Sequence, residues 1–293
     1  MPGNTARLVL RDVLAWLVVL AFLFPLFWWV LASFKPYTAI FAQPPVYADF
    51  EPSVENYEIT IAGKSRINLE GGVGGQTGGA SSYYSLPSIV DSLIIAIGST
   101  ICALSLATLA AYALSRFPMR GKDHLVFFVL AQRMMPPIAV AIPLFFIFRD
   151  IGLRDTHLGL IIAHTLINLP LATLLLKSFF DDVPKELDES AMIDGATRFQ
   201  VFHMIVAPLV KGGLAATGVL CFIFSWTEFL ISLQLTTSIR TIPVKITTFV
   251  TSTGTEWGLI TALGSAALVP SFIFILLVQK HLVRGLTLGS LKD

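Results

Sequence analysis

Glu189-Ser-Ala-Met-Ile-Asp-Gly-Ala196, followed by Phe202 and Pro208, is a short polar stretch lodged between two long apolar runs, 158–179 and 204–232. Pro184, just before it, suits a first helical turn, where a missing N–H costs nothing. Asp181, Asp182, Glu186 and Asp188 place negative charge around the same helix N-terminus. Gly195 suits a left-handed C-cap. Thr197-Arg-Phe-Gln200 reads as a capping box opening a second helix, which carries Phe202 toward Pro208. The spacing predicts a helix–turn–helix elbow lying at a membrane surface. Ala191 and Gly195 are four apart, which puts them on one smooth face that a partner's backbone or aromatic rings can approach closely. Leu187, Met192 and Ile193 add apolar surface, too little for a domain of their own.

The membrane follows from composition. Hydrophobic residues make up 55% of the 293-residue chain and charged residues 13%, against about 25% charged in soluble proteins. Mean hydropathy is +0.76. Crossing ~30 Å of hydrocarbon takes roughly 20 apolar residues per helix. Six runs qualify: 13–34, 88–114, 124–148, 158–179, 204–232 and 258–282. Backbone amides in lipid need internal partners, and the alternation of a β-barrel is absent, so these runs read as helices. The fold class is an all-α polytopic membrane protein, a single transmembrane domain over 1–293.

Orientation comes from Lys and Arg in the loops. Arg7 and Arg11, then Arg116, Arg120 and Lys122, then Lys185 and Arg198, then Lys280, Arg284 and Lys292 fall on one side if there are six spans. That side reads as cytoplasmic, with both termini on it. The other side carries Lys35, Lys64, Arg66, Arg149, Arg154, Arg240 and Lys245, so the bias is moderate. Residues 35–87 form a long extracytoplasmic loop with a Gly-rich insertion at 69–80. No Lys-Ser/Thr follows those glycines, so they are not a phosphate loop. The first run exceeds a signal-peptide core in length and reads as an uncleaved span.

Pro25, Pro136, Pro137, Pro143, Pro170 and Pro270 punctuate the runs, and Met134-Met-Pro-Pro137 is the sharpest break. Cys102 and Cys221 both sit inside spans, as packing residues and not a disulfide. A charge at the bilayer centre costs about 2.5 kcal/mol or more, so intramembrane polar groups face protein or an aqueous path. Gln132, Arg133, His164, Asn168, Trp226 and Glu228 are such groups. Gln132, Arg133, Asn168, Trp226 and Glu228 are candidates for a translocation path, Glu228 either pairing with Arg133 or facing solute. Trp226 offers an aromatic face of the kind that binds sugars. The other reading for each is a helix–helix hydrogen bond. His164 stands alone, and a metal needs clustered ligands, so no metal is expected.

The stretch at Glu189 resembles the "EAA" loop of ABC-importer permeases, E-A-A-x-x-D-G-A followed by F and P. Glu189, Ala191, Asp194, Gly195, Ala196, Phe202 and Pro208 fall in register, and Ser190 stands where the second Ala usually does. Ser225-Trp-Thr-Glu-Phe229 is similar to the S-W-N-E-F segment of carbohydrate-type permeases, with Thr227 for Asn. The tail Arg284-Gly-Leu-Thr-Leu-Gly-Ser-Leu-Lys292 resembles that of the maltose-importer permease, and Ser33-Phe-Lys-Pro36 with Pro44-Pro45 fits the same subfamily. The resemblance implies a type I importer fold with six transmembrane helices, in which segment 181–203 couples to an ATPase. It implies a second permease subunit, two ATPase subunits that bind ATP and Mg, and an extracytoplasmic solute-binding protein. It implies a sugar, polyol, glycerol or related solute, carried across the bacterial plasma (inner) membrane.

This chain holds no Walker A pattern, so ATP is expected in a separate subunit and no cofactor here. Permeases for other small solutes share the elbow but usually lack the Trp-x-Glu-Phe segment and this tail. A secondary transporter usually shows internal repeats, and none is visible. An intramembrane enzyme needs a nucleophile–base pair or clustered ligands, and no such motif appears.

Overall fold

The long apolar runs become long helices. The structure, a computed structural model, describes residues 2–47, 49–64, 83–251 and 254–288. The Gly-rich stretch 69–80 and the tail end 289–293 lie outside the described residues. In chain order the helices are α1 (Pro2–Ser33), α2 (Tyr37–Ile40), α3 (Glu55–Thr60), α4 (Leu86–Arg116), α5 (Lys122–Gln132), α6 (Pro137–Asp150) and α7 (His157–Asp181). There follow α8 (Lys185–Ile193), α9 (Arg198–Gln200), a π-turn (Val201–Val206), α10 (Ala207–Leu209), α11 (Lys211–Trp226), α12 (Leu230–Leu235) and α13 (Ile242–Thr247). A two-stranded antiparallel hairpin, β1 (Val250–Thr251) with β2 (Gly254–Thr255), precedes α14 (Trp257–Leu288).

Among the described residues, four helices, within α1, α4, α7 and α14, are long and apolar enough to cross a membrane, and there are up to six spans if each of two bent pairs counts as one. The first pair, α5 and α6, bends by 91°. This is far more than a kink, because two prolines act in succession. Pro136 is held at φ −59°, ψ 131°, outside the helical region, and Pro137 opens the next helix. Pro25, Pro143, Pro170 and Pro270 lie inside helices that remain continuous around them. The second pair, Arg198–Leu209 and α11, bends by 74°. The run read as 204–232 is thus interrupted at Val210 and again at Thr227–Phe229.

By packing, the chain groups into two compact units, 1–87 with 245–269, and 88–244 with 270–293. In the first, Asn56 of α3 donates to the carbonyls of Ser33 (3.0 Å) and Lys35 (2.9 Å), and Tyr57 meets Ser33 Oγ at 2.7 Å. Gly258 lets α14 approach: a Cβ there would lie 2.4 Å from Asn56 Oδ1. Lys35 Nζ is buried beside the rings of Trp28 and Phe50 and donates to Val46 O. The apolar residues of α1 from Leu8 to Phe27 are largely exposed in this chain, as suits lipid or a partner.

Among the described residues, the second unit shows two apolar cores. One contains Ile95, Ala141, Leu144, Phe148, Leu160, Ala163, Ile231 and Leu235, from α4, α6, α7 and α12. The other contains Ala103, Ala107, Ala111, Ala172, Leu176, Phe180, Val201, Val206 and Cys221, from α4, α7, the π-turn and α11, with Ala191 of α8. Between α6 and α7, Asp155 takes a left-handed φ of 58° and its carboxylate accepts from Thr237, Ser238 and Ile239. Burial pushes that carboxyl up. The hydrogen bonds outweigh it and hold the group well below the usual carboxylate range.

Candidate functional site

The elbow forms as its local signals demand. Helix α8 runs Lys185–Ile193, with Pro184 one place earlier than a first-turn position, as the N-cap. At its other end the Ala196 N–H donates to the Ala191 carbonyl (3.0 Å) and the Gly195 N–H to that of Met192 (3.1 Å). Gly195 sits at φ 89°. This is a Schellman motif, and it needs a residue that tolerates a left-handed backbone. The capping box is complete: Gln200 N–H donates to Thr197 Oγ1 (3.3 Å) and Thr197 N–H to Gln200 Oε1 (2.7 Å). Beyond it the helix widens into the π-turn, where Ala207 N–H reaches Phe202 O. Pro208, one residue further on, has no N–H to keep an α-turn closed.

The elbow has two sides. Inward, Asp188, Ala191, Val201 and Val206 are buried. Phe202 packs on Tyr112 of α4, ring centroids 4.8 Å apart. Arg116, the last residue of α4, donates to the carbonyls of Phe180 (3.0 Å) and Val183 (2.9 Å) and pairs with Asp188. Outward, Ile193 is 86% exposed and Phe199 and Met204 are 71% exposed. Glu189, Ser190, Asp194, Gly195 and Pro208 are exposed as well, and Ala196 is half-buried against the core. The reading that Ala191 and Gly195 share one open face does not hold. Ala191 faces the chain's own core. Gly195 has passed beyond the helix end, so the four-residue rule no longer relates them, and a Cβ there would meet nothing within 4 Å.

Of the intramembrane polar residues, Gln132 and Arg133 are exposed at the α5–α6 break, with the Arg133 guanidinium 5.0 Å from the Phe224 ring. Asn168 is buried; its Nδ2 donates to Cys221 O at 3.3 Å and its Oδ1 is buried without a hydrogen-bond partner. Trp226 is buried and stacks on Phe222 at 5.5 Å, so its face is taken. Glu228 meets His164, not Arg133: Glu228 Oε2 lies 3.4 Å from His164 Nε2. Its carboxylate also accepts from Ile231 N–H (2.7 Å), Ser232 N–H (2.9 Å) and Ser232 Oγ (2.9 Å), closing the first turn of α12. His164 Nδ1 meets Ser225 Oγ at 2.7 Å, and Ser99 Oγ donates to Ser225 Oγ at 2.9 Å. His164 therefore follows the helix–helix hydrogen-bond reading.

The elbow is a polar segment tied to the ends of apolar helices. Residues 103–288 match the family described as the binding-protein-dependent transport system inner membrane component. This chain belongs to that family. The permease is 33% identical to the trehalose/maltose transport system permease protein MalG of Thermococcus litoralis, over 100% of this chain and 99% of the relative. It is 30% identical to the sulfoquinovosyl glycerol transport system permease protein SmoH of Agrobacterium fabrum, over 97% and 93%. Its fold resembles a chain of a bacterial ABC transporter involved in the import of the acidic polysaccharide alginate, with a TM-score of 0.69, 20% identity and coverage of 96% and 98%. The permease is a multi-pass inner-membrane subunit of an ABC importer with the type I transmembrane fold.

Sequence reasoning missed the Arg116–Asp188 pair, the bridging role of His164 and the Asp155 clasp. Arg116 had a visible signal, a cation at a helix C-terminus. Nothing local names Asp188 as its partner.

Proposed function

We propose that this permease is half of a heterodimeric pore importing a sugar, polyol, glycerol or related solute. Its partners are a second permease subunit, two ATPase subunits and an extracytoplasmic solute-binding protein. ATP and Mg are bound and ATP is hydrolysed in the ATPase subunits, and this chain performs transport, not catalysis. The sugar class is supported by the relatives, whose names specify trehalose/maltose and sulfoquinovosyl glycerol.

The observation that carries the reading is the two-sided elbow. Its inner side is anchored by Arg116, and its outer side exposes Ile193, Phe199 and Met204. Apolar groups left in water on a rigid projection are what a protein partner covers. Glu189, Ser190, Asp194 and Gly195 surround that surface, while Ala191, Ala196, Phe202 and Pro208 set its angle to the spans. The Lys/Arg bias supports a cytoplasmic 181–203 and cytoplasmic termini. For the translocation path, exposure supports Gln132 and Arg133, while burial and hydrogen bonding within the chain support a packing role for Asn168, Trp226 and Glu228.

Gly195→Trp tests the reading in reconstituted vesicles containing the ATPase subunits. The variant should insert and fold, yet lose ATPase pull-down and the binding protein's stimulation of ATP hydrolysis. Asp194→Lys should act similarly. Normal association and stimulation in Gly195→Trp would reduce the elbow to a connector.

A further inference from the structure

The two cores of the second unit are separated by a polar seam. On α4 the order is Ile95, Ser99, Ala103; on α7 it is Ala163, His164, Asn168, Ala172. The seam lies level with the break in the fifth span, where α11 ends at Trp226 and α12 begins at Leu230. Ile231 and Leu235 of α12 join one core, and Cys221 of α11 joins the other. The two halves of this span therefore join different cores, which α4 and α7 run through together.

His164 bridges the break. Its side chain is fully buried, and its two ring nitrogens face opposite ways. Nδ1 meets Ser225 at the end of α11, while Nε2 lies 3.1 Å from Ser232 Oγ and close to Glu228. Ser232 Oγ gives its proton to Glu228, so it accepts from the Nε2–H, and Nδ1 accepts from Ser225. The chain of donation then runs from Ser99 to Ser225 to His164 to Ser232 to Glu228. Elsewhere in the seam, α7 and α11 are joined by the long Asn168–Cys221 bond, and Asn168 Oδ1 is unsatisfied. Buried polar groups with short, complete hydrogen bonds resist separation; incomplete ones do not.

We propose that His164 and Glu228 form the pivot of a hinge at Thr227–Phe229. Glu228 closes α12 and His164 latches it to α7, so that α12 keeps its place on α6 and on α7 at His164, while α11 shifts with the elbow and with the end of α7 to which the elbow is tied. Both are positioning residues for transport, not solute contacts. The inference rests on the transport assignment only for its use of ATP.

The test uses the assembled transporter with its ATPase subunits and spin-label pairs at Leu166→Cys (α7) with Leu233→Cys (α12), and at Leu220→Cys (α11) with Leu233→Cys. Exposed Cys102 is replaced by Ser; buried Cys221 is retained. In the otherwise unsubstituted protein, ATP–vanadate trapping should shift the Leu220–Leu233 distance and leave Leu166–Leu233 unchanged. In the resting state, Glu228→Gln should broaden the Leu166–Leu233 distribution about twofold or more, and so should His164→Ala. The double variant should be no broader than the worse single, because the pair acts as one unit. Co-purification of the ATPase verifies assembly. A Leu166–Leu233 distribution as narrow in Glu228→Gln as in its parent, or additive effects of the two substitutions, would overturn the pivot. An unmoved Leu220–Leu233 distance in a trapped transporter would overturn the hinge. The resting measurement needs neither ATP nor solute, so its failure is separable from failure of the transport reading.

Discussion

Arg116 Nε lies 2.8 Å from Asp188 Oδ2, with 4% and 10% of the two side chains exposed. The pair ties the end of a membrane span to the first turn of the elbow. The Nε–H is within ion-pair distance but not aligned for a hydrogen bond, and Asp188 Oδ1 is buried without a hydrogen-bond partner. The guanidinium's other nitrogens complete the tie by closing the carbonyls at the end of α7.

Removing one member of a buried pair strands the other charge, at a cost of about 3–5 kcal/mol. Arg116→Met and Asp188→Asn should each lower the thermal stability of the purified permease and weaken ATPase pull-down, with Arg116→Met worse because it also leaves two carbonyls unserved. Asp188→Met combined with Arg116→Met should recover part of the loss. Equal stability of both single variants and the parent would show that the pair contributes nothing.

Gly213 lies where α11 crosses α7. A Cβ there would sit 2.3 Å from Phe179 Cγ. Gly213→Ala should therefore destabilise, on the overpacking scale of about 1–3 kcal/mol. Phe179→Leu should relieve part of that cost in the double variant while costing little alone. Thermal unfolding of the four proteins in detergent checks this; absence of rescue would place the strain elsewhere.

The Asp155 clasp carries a pH dependence. Its carboxyl is held below the usual carboxylate range, so its stabilisation is fully present above the unfolded value of about 3.9 and is lost as pH falls through the lower folded value. Stability from pH 5 to 8 should not depend on this group's titration. Below about pH 4, the parent should lose stability faster than Asp155→Asn, which keeps a side chain tolerant of the left-handed φ but carries no charge. Parallel melting curves for the two proteins through that window would contradict the assignment.

Topology is tested by single cysteines and an impermeant reagent in intact cells, with Cys102 replaced by Ser. The Lys/Arg distribution predicts labelling at position 75 and protection at position 190. The reverse pattern would invert the orientation.

The sequence by itself determined whatever depends on neighbours in the chain. Apolar runs of sufficient length specified the spans, since lipid leaves the backbone no alternative to a helix. Gly195 and the Thr197–Gln200 box specified the turn, because each is closed by groups within five residues. The family was legible in the same short segment, Glu189 to Pro208. Only the tertiary structure decided which side of the elbow faces in, because Ala191 is small and apolar and fits a core as readily as an interface. Only it could separate Glu228 from Arg133 and join it to His164, since hydropathy registers a buried charge but not its partner. The 91° turn at Pro136–Pro137 was legible as a break but not as an angle, which packing sets. Local geometry propagates over a few residues; pairing across helices is chosen by the three-dimensional register of whole spans, which no stretch of this sequence carries alone.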